Sequence, residues 1–190
     1  MKAIKNLLLV SFCVFSSVVF SQEHIKFKGI PLNGNVNSFA QELVKIGFKI
    51  VESKGNIITM KGEFINKECE IIVVGSKKTN IVWKVVAYLP KETSWYSIKN
   101  DYFEVKKQFQ QKYGDGESYE FFSKPYYEGD GYEMTALSVD KCTYTTFFKT
   151  ELGTIAVDIS KYEQISIGYE DKINLEIKKA EAESVISNDI

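Results

Sequence analysis

The feature that most constrains this chain is a change in hydrophobic period that occurs twice. Apolar residues recur at intervals of three and four over 36–46, with Asn35 placed to cap a helix and Gly47 placed to end it. A longer pattern of the same kind spans 95–109, with Thr93 or Ser94 placed to cap the helix, and is followed by Gly114. After each helix, apolar and polar residues alternate in short runs, which is the period of a β-strand. The sequence therefore predicts two units, each a helix followed by antiparallel strands.

Turn residues divide the β-rich part of each unit into short strands. The predicted strands are 48–52, 57–61, 68–74 and 81–89 in the first unit, and 118–122, 132–139, 141–149, 154–159 and 164–169 in the second. A proline, a glycine and a cysteine recur in the same order in both units, as Pro31, Gly47 and Cys69 and as Pro90, Gly114 and Cys142. This order indicates a weak internal duplication, and the alternative is that it arose by chance. We predict an α+β fold of two helix-plus-antiparallel-meander halves, 22–90 and 91–170, with a C-terminal helix or tail over 171–190.

The N-terminal segment has the three regions of a secretory signal peptide. Lys2 and Lys5 precede an apolar run over 7–20, and Ser21 supplies a small residue before Gln22. That run is about 14 residues long, whereas a membrane-spanning helix needs roughly 20. We predict cleavage after Ser21 and a secreted or periplasmic protein with no transmembrane segment after cleavage, the alternative being a retained N-terminal anchor.

The charge balance gives no sign of a nucleic-acid partner. The chain has 24 basic residues, all of them lysine, and 25 acidic residues. Removal of Lys2 and Lys5 leaves 22 against 25, a net charge of −3 with both signs mixed along the chain. Because arginine is absent, the planar fork that suits phosphate and base recognition is missing as well.

The common catalytic arrangements are hard to assemble from these residues. His24 is the single histidine, and it lies so close to the predicted mature N-terminus that we expect it to be mobile. Ser-His-Asp and Cys-His catalysis, like a zinc site of His and Cys ligands, need an imidazole that is held in place. A glycine-rich phosphate loop is also missing from the sequence. We therefore predict no catalytic, cofactor-binding or metal-binding residues.

Two alternatives remain open at this point. Acidic residues on predicted strands or turns could include a closely spaced pair for glycoside hydrolysis, with Glu70, Glu133 and Asp158 as the residues to inspect. Instead, a small apolar ligand could lie between the sheet and the helices in a dry pocket lined by residues such as Trp83, Phe109 and Phe148.

The two cysteines of the predicted mature chain, Cys69 and Cys142, are candidates for a disulfide. Export favours a bond over a catalytic thiol. It would close a loop of 142 − 69 = 73 residues and add roughly 3 to 4 kcal/mol in the chain-entropy model. The alternative is two separate buried thiols.

Aromatic residues around a proline-glycine loop form the most informative local feature. Tyrosine and tryptophan on loops are typical of protein-binding surfaces, because they bury a large area at low entropic cost and keep a polar atom. We expect Phe121 and Phe122 to fill the space between helix and sheet instead. The residues predicted to face a partner are Trp95, Tyr96, Tyr126, Tyr127 and Tyr132.

Four segments together resemble a group of uncharacterised secreted bacterial proteins: "HIKFKGIPLNGNVNSFAQELVKIGF", "WYSIKNDYFEVKKQFQQKYG", "DKCTYTTFFKTELGTIAVDIS" and "ISIGYEDKIN". The resemblance covers nearly the whole mature chain and implies export, but it brings no catalytic residues. The helix-plus-meander halves are also similar in layout to the β-lactamase inhibitory protein fold, a tandem repeat that holds a protein on a concave sheet face. That similarity implies a binding module, although a fold does not by itself give a function.

These observations favour an exported, non-enzymatic protein that binds an envelope or secreted protein, in the manner of an inhibitor, through an aromatic sheet or loop face. The alternatives are an extracytoplasmic carboxylate-dependent hydrolase or carbohydrate-active protein and a carrier of a small apolar ligand.

Overall fold

The computed structural model describes residues 23–186, which form four helices and ten strands. The helices are α1 (Val36–Lys45), α2 (Trp95–Tyr113), α3 (Glu133–Ser138) and α4 (Lys172–Ile186). The strands are β1 (Lys26–Phe27), β2 (Ile30–Pro31), β3 (Lys49–Lys54), β4 (Ile57–Phe64), β5 (Lys67–Gly75), β6 (Val82–Tyr88), β7 (Glu117–Phe122), β8 (Cys142–Lys149), β9 (Gly153–Ser160) and β10 (Gln164–Asp171). The predicted α+β class and C-terminal helix are confirmed, while the predicted signal peptide, 1–21, lies outside the described residues.

Both long helices begin and end where the sequence places their caps. The Asn35 side chain accepts a hydrogen bond from the Asn37 N–H at 2.8 Å, and Ser94 Oγ accepts one from the Ser97 N–H at 3.1 Å. Gly114 ends α2 with a φ of 79°, a conformation that favours glycine. Local chemistry therefore sets the bounds of α1 and α2.

Eight strands form one antiparallel sheet in the order β3-β4-β5-β6-β10-β9-β8-β7. The first four strands follow α1 in the chain, and the other four follow α2. The two sets meet in the middle, where β6 pairs with β10 in a register that includes Tyr88 with Ser166 and Lys84 with Glu170. Both halves of the chain thus share one sheet, and β3 and β7 are its edges.

Helices α1 and α2 pack on the same face of this sheet. A Cβ atom on Gly75 of β5 would point at Val36 of α1. On α2, the Tyr102 hydroxyl lies 2.6 Å from Thr146 Oγ1 of β8. Because the register puts Gly75 and Thr146 on one face, the two helices cover the same side of the sheet and enclose a single core. On the opposite side, α4 borders the sheet at one end, where Leu175 and Glu176 line a hollow with Thr154 and Glu170. Residues of the described helices do not line the two hollows nearer its centre.

His24 is held in place, so the predicted mobility of this residue is wrong. His24 is buried, and its Nδ1 lies 3.0 Å from Oδ1 of the fully buried Asp171. The other carboxylate oxygen of Asp171 accepts the Ile25 N–H at 3.0 Å, and Oδ1 also accepts the Asn174 N–H at 2.9 Å. Asp171 therefore ties the N-terminal segment to the end of β10 and the start of α4.

Helix α4 extends this connection across the end of the sheet. The Asn174 side-chain amide donates to the carbonyl oxygens of Leu32 and Val82 at 2.7 and 2.8 Å. Further along α4, Glu181 accepts hydrogen bonds from Ser76 Oγ at 2.9 Å and from the Lys78 N–H at 2.8 Å. The helix thus fastens the loop between β5 and β6 to the C-terminal part of the chain.

The segment 132–139, predicted as a strand, is instead the short helix α3. The preceding loop closes on Asp130, whose carboxylate accepts the N–H groups of Tyr127 at 3.0 Å and Tyr132 at 2.7 Å. Glu133, in the first turn of α3, accepts the Gly129 N–H at 2.8 Å. These side-chain hydrogen bonds favour a tight turn into a helix over an extended strand.

The predicted disulfide between Cys69 and Cys142 is wrong, because both are buried free thiols. Cys69 lies on β5 and Cys142 on β8, four strand positions apart in the sheet. Neighbouring strands are about 4.8 Å apart, so the two residues are roughly 19 Å apart, whereas a disulfide needs Cα atoms within about 7 Å. Burial raises the pKa of the Cys69 thiol and raises that of Cys142 to about 12, with Glu128 and Glu133 adding to the shift at Cys142. Both thiols therefore stay protonated and unreactive at neutral pH.

Replacement of Asn174 tests the attachment of α4. Asn174→Ala leaves the buried carbonyl groups of Leu32 and Val82 without this donor, so we expect a loss of about 3 kcal/mol in the free energy of unfolding. Urea denaturation measures it. Lys179→Ala, which removes only the exposed pair with Glu176, should change stability by less than about 0.5 kcal/mol. Equal effects of the two substitutions would contradict the role of Asn174.

Candidate functional site: the helix-free sheet face

The helix-free face is the side of the eight-stranded sheet opposite α1 and α2. Its side chains alternate along each strand with those of the core. Hydrogen-bonded pairing aligns them in rows that run across the strands. One row contains Tyr88, Ser166, Asp158, Thr145 and Tyr119, and the next contains Val86, Gly168, Ala156 and Phe147.

The centre of the helix-free face is hollow. Val86 is 9% exposed and Ser166 is 6% exposed although no described helix covers them. Neighbouring side chains of the same sheet must therefore shield Val86 and Ser166 from solvent. A hollow of about 310 Å³, which we call the trough, is lined by Lys84, Thr145, Phe147, Thr154, Ala156, Asp158, Gly168 and Glu170. A second hollow of about 400 Å³ on the same face is lined by Glu70, Ile72, Tyr88, Lys91, Tyr162 and Gln164.

Asp158 supplies a desolvated carboxylate at one end of the trough. Its Oδ1 accepts a hydrogen bond from Ser166 Oγ at 2.8 Å. Burial raises the pKa of Asp158 above its ordinary value of 3.8, against the opposing effects of this hydrogen bond and of the Lys84 charge. The pKa of Tyr88 is raised too, first by burial and then by Asp158, Tyr162 and Glu70. The ion pairs among residues 23–186 do not include Asp158.

The lysine that lines the trough is already paired. Lys84 Nζ lies 2.7 Å from Glu170 Oε1, and both side chains are about one-third exposed (32% each). Register places Glu170 opposite Thr154 on β9, four residues from Asp158. At about 3.4 Å per residue, roughly 14 Å of strand separate the two carboxylates. The trough thus has a neutral ion pair at one end and a carboxylate without an ion-pair partner at the other.

Gly168 forms part of the floor of the trough, and nothing inside the protein requires a glycine there. Of the 12 glycines, eight have a positive φ, where glycine is favoured. At Gly62, Gly75 and Gly116, an added Cβ would approach a neighbouring atom to between 2.4 and 2.6 Å. At Gly168 φ is ordinary and the nearest atom, Lys84 Cε, would be 3.8 Å from the Cβ. A glycine inside a strand often marks a bulge, a tight bend, or a place where a ligand or another backbone approaches closely.

The residues predicted to bind a partner do not form one exposed cluster. Trp95 packs edge-on against Phe122 and Tyr144 in the helix-covered half of the molecule, at centroid distances of 5.3 and 5.1 Å. Tyr126 is partly buried against the core. Three of the five are exposed on the surface: Tyr96 at 78%, Tyr127 at 65% and Tyr132 at 63%.

The aromatic residues of β7 and β8 on the helix-free face were not predicted. Phe122 fills the space beside Trp95 as expected, but Phe121 points the other way and is 49% exposed. On the same face, Tyr119 contacts Phe147 at a centroid distance of 6.2 Å. The sequence could have predicted this difference, because adjacent residues of a strand point to opposite faces of the sheet.

The three carboxylates considered for hydrolysis are not close together. Glu70 and Asp158 lie on the helix-free face, three strand positions apart in the row through Tyr88 and Ser166. Their Cα atoms are therefore roughly 14 Å apart, whereas glycosidase carboxyl groups are about 5 to 9.5 Å apart. Glu133 lies on α3, where its carboxylate accepts the Gly129 N–H.

The residues considered for an apolar pocket are also separated. Phe109 and Phe148 contact each other in the core, with centroids 5.9 Å apart. Trp83 lies on β6 at a register irregularity, and its ring is contacted by Lys178 of α4, with Nζ 5.1 Å from the centroid. These three side chains do not line one cavity.

Within residues 23–186, no group of three or more His, Cys, Asp or Glu side chains is arranged to hold a metal ion. No helix of the described chain combines the length and apolarity that a membrane crossing requires.

Comparisons of the chain with protein-family models, with curated proteins and with solved structures found no match.

Gly168 provides the first test of the trough. Gly168→Ala should raise the free energy of unfolding by about 0.5 to 1 kcal/mol, because glycine loses more backbone entropy than alanine on folding and the added Cβ has room. The matched control is Gly62→Ala, whose Cβ would lie 2.4 Å from Phe48 Cδ1 and should cost about 1 to 3 kcal/mol. Urea denaturation of both variants measures the difference. A destabilised Gly168→Ala would contradict the free space above this residue.

Asp158 provides a pH-dependent test. Its raised pKa means that the folded protein keeps this proton to a higher pH than the unfolded chain does. The resulting stability is complete below pH 3.8 and is lost as the pH rises through the folded-state pKa. Asp158→Asn should therefore be more stable than the wild type at neutral pH and equal to it below pH 3.8. Denaturation curves at both pH values measure this, with the exposed Asp115→Asn as a control. An equal gain in the free energy of unfolding at both pH values would contradict a raised pKa at Asp158.

Proposed function

We propose that this protein is an exported, non-enzymatic module that binds another envelope or secreted protein through the helix-free face of its sheet. The observation that carries the proposal is the character of that face. It is continuous across eight strands, hollow at its centre, and bordered by aromatic side chains that no described helix covers. Export is proposed from the sequence of residues 1–21.

The chemistry of the helix-free face suits protein recognition. Tyr88, Tyr119, Phe121 and Phe147 supply aromatic area on both sides of the trough, and Tyr and Phe are enriched at protein interfaces. Charged groups of both signs surround them, among them the Lys149–Glu117 pair, whose atoms lie 2.8 Å apart. Protein interfaces combine an aromatic core with a polar, solvent-accessible rim.

The layout of the chain supports the same proposal. Each half contributes one long helix followed by four strands of the sheet, and the halves meet through their last strands, β6 and β10. We interpret this order as the proposed tandem repeat, similar in layout to the β-lactamase inhibitory protein fold. An inhibitor-like role for this chain follows from that interpretation.

The alternatives receive less support from the contacts. A carboxylate-dependent hydrolase needs two carboxyl groups at close range, and Asp158 has neither Glu70 nor Glu133 beside it. A carrier of an apolar ligand needs a closed dry cavity, but Phe109 and Phe148 pack against each other. Non-enzymatic binding at the helix-free face is therefore the function that the geometry favours.

Paired variants test the proposal. We expect the immobilised wild-type protein to retain a specific partner from envelope or culture-medium fractions, and Tyr119→Ala/Phe121→Ala to lose it, because these rings supply apolar area at the border of the helix-free face. The matched control is Tyr127→Ala/Tyr132→Ala, which removes two aromatic rings that are more exposed, at 65% and 63%, from the loop before α3. Circular dichroism of all three proteins checks that they fold.

The three results have distinct meanings. Loss of the partner only from the β7 variant supports the helix-free face. Loss only from the loop variant would instead place binding at the aromatic loop that the sequence analysis favours. Retention of no specific partner by the wild type would contradict the binding function itself.

A further inference from the structure

We propose that the trough is a specificity site that takes up one basic side chain, a lysine or an arginine, of the protein partner, with its stem over Gly168 and Ala156 and its cationic group at Asp158. This inference rests on the proposed function, because it names the chemistry that the partner presents to the helix-free face.

The floor of the trough has the shape that such a side chain requires. In the row across the strands, Gly168 and Ala156 lie side by side, with Val86 on one flank and Phe147 on the other. Two small residues between two large apolar ones leave a channel along β10 and β9. Neither φ nor a clash requires a glycine at position 168, where the nearest atom to an added Cβ, Lys84 Cε, would be 3.8 Å away, so a side chain from outside can approach the backbone there.

The charge at the end of the channel selects the occupant. Asp158 accepts one hydrogen bond, from Ser166, and is not part of any ion pair in the described part of the chain. A half-buried carboxylate with free acceptor sites is matched by a cation that brings its own N–H donors. Lys84, whose Cε lies near Gly168, is paired with Glu170, and this pairing weakens its repulsion of that cation.

Lysine and arginine combine both requirements. Their aliphatic stems lie along apolar surface while the charged group reaches a polar partner. A purely apolar side chain would fill the channel but leave Asp158 desolvated without compensation, and an acidic side chain would be repelled by it. The occupant is therefore a long side chain with a positive end.

The experiment separates shape from charge with two variants, two cationic probes and one neutral control compound. The cationic probes are the N-acetyl, N-methylamide derivatives of lysine and arginine, and the neutral control is the same derivative of norleucine. They are titrated into the wild type, Asp158→Asn and Gly168→Val while backbone amide resonances are followed by NMR. Asp158→Asn keeps the shape and removes the charge, whereas Gly168→Val fills the channel and keeps the charge.

We expect the cationic probes to shift the Gly168 and Ala156 amides of the wild type saturably, with a dissociation constant on the order of millimolar. Affinity should fall at least about tenfold in Asp158→Asn, by about 1.4 kcal/mol or more, and binding should be absent in Gly168→Val. It should also weaken as the pH falls through the pKa of Asp158, because protonation removes the charge. Equal shifts with norleucine, or undiminished binding to Gly168→Val, would overturn the proposal.

Partner capture distinguishes failure of this inference from failure of the proposed function. A partner retained by the wild type and equally by Gly168→Val would overturn the trough as the specificity site and leave binding at the helix-free face standing. Saturable probe binding by a protein that retains no partner would support the chemistry of the trough and contradict the protein-binding function.

Discussion

The pairing of β6 with β10 is the contact on which the rest of the structure depends. It joins the last strand of the first meander to the last strand of the second, in antiparallel register from Lys84 with Glu170 to Tyr88 with Ser166. Without it, each half would be a four-stranded sheet with one helix and an unpaired edge in the middle of the molecule. With it, α1 and α2 lie on one face of a continuous sheet, and the opposite face spans eight strands.

Two residues with an unfavourable local property lie next to the centre of this sheet. Gly168 and Asp158 belong to β10 and β9, and each lowers stability at a position where an alternative residue would fit. Residues that break a local rule without an internal compensation are typical of functional sites.

Local features of the fold could be predicted from the sequence, and long-range ones could not. The caps at Asn35 and Ser94 and most strand positions depend on neighbouring residues, so periodicity and turn chemistry were sufficient. The sheet order depends on contacts between residues about 80 positions apart, and the expected Cys69–Cys142 bond was wrong because that order places two cysteines of similar local sequence far from each other. The Asp130 turn that starts α3, and the burial of His24 against Asp171, likewise need the folded structure. In the site, the sequence places Gly168 inside a strand. Only the pairing of the strands shows that Val86 and Phe147 lie in the same row as this glycine.

The edges of the sheet bear on how a partner would approach. Strand β3 has a register irregularity between Ile50 and Glu52 and carries lysines at both ends, features that discourage edge-to-edge pairing. Strand β7 is regular and lies at the other edge of the sheet, and its side chains Tyr119 and Phe121 are exposed. Exposed apolar area beside an unpaired strand edge favours aggregation unless a partner covers it. Asp158 is two strand positions from β7, or about 10 Å. Because a standard interface buries about 800 Å² on each partner, a protein seated over the trough would also cover these aromatic rings. One binding event would thus shield the exposed border of the sheet and satisfy the carboxylate at its centre.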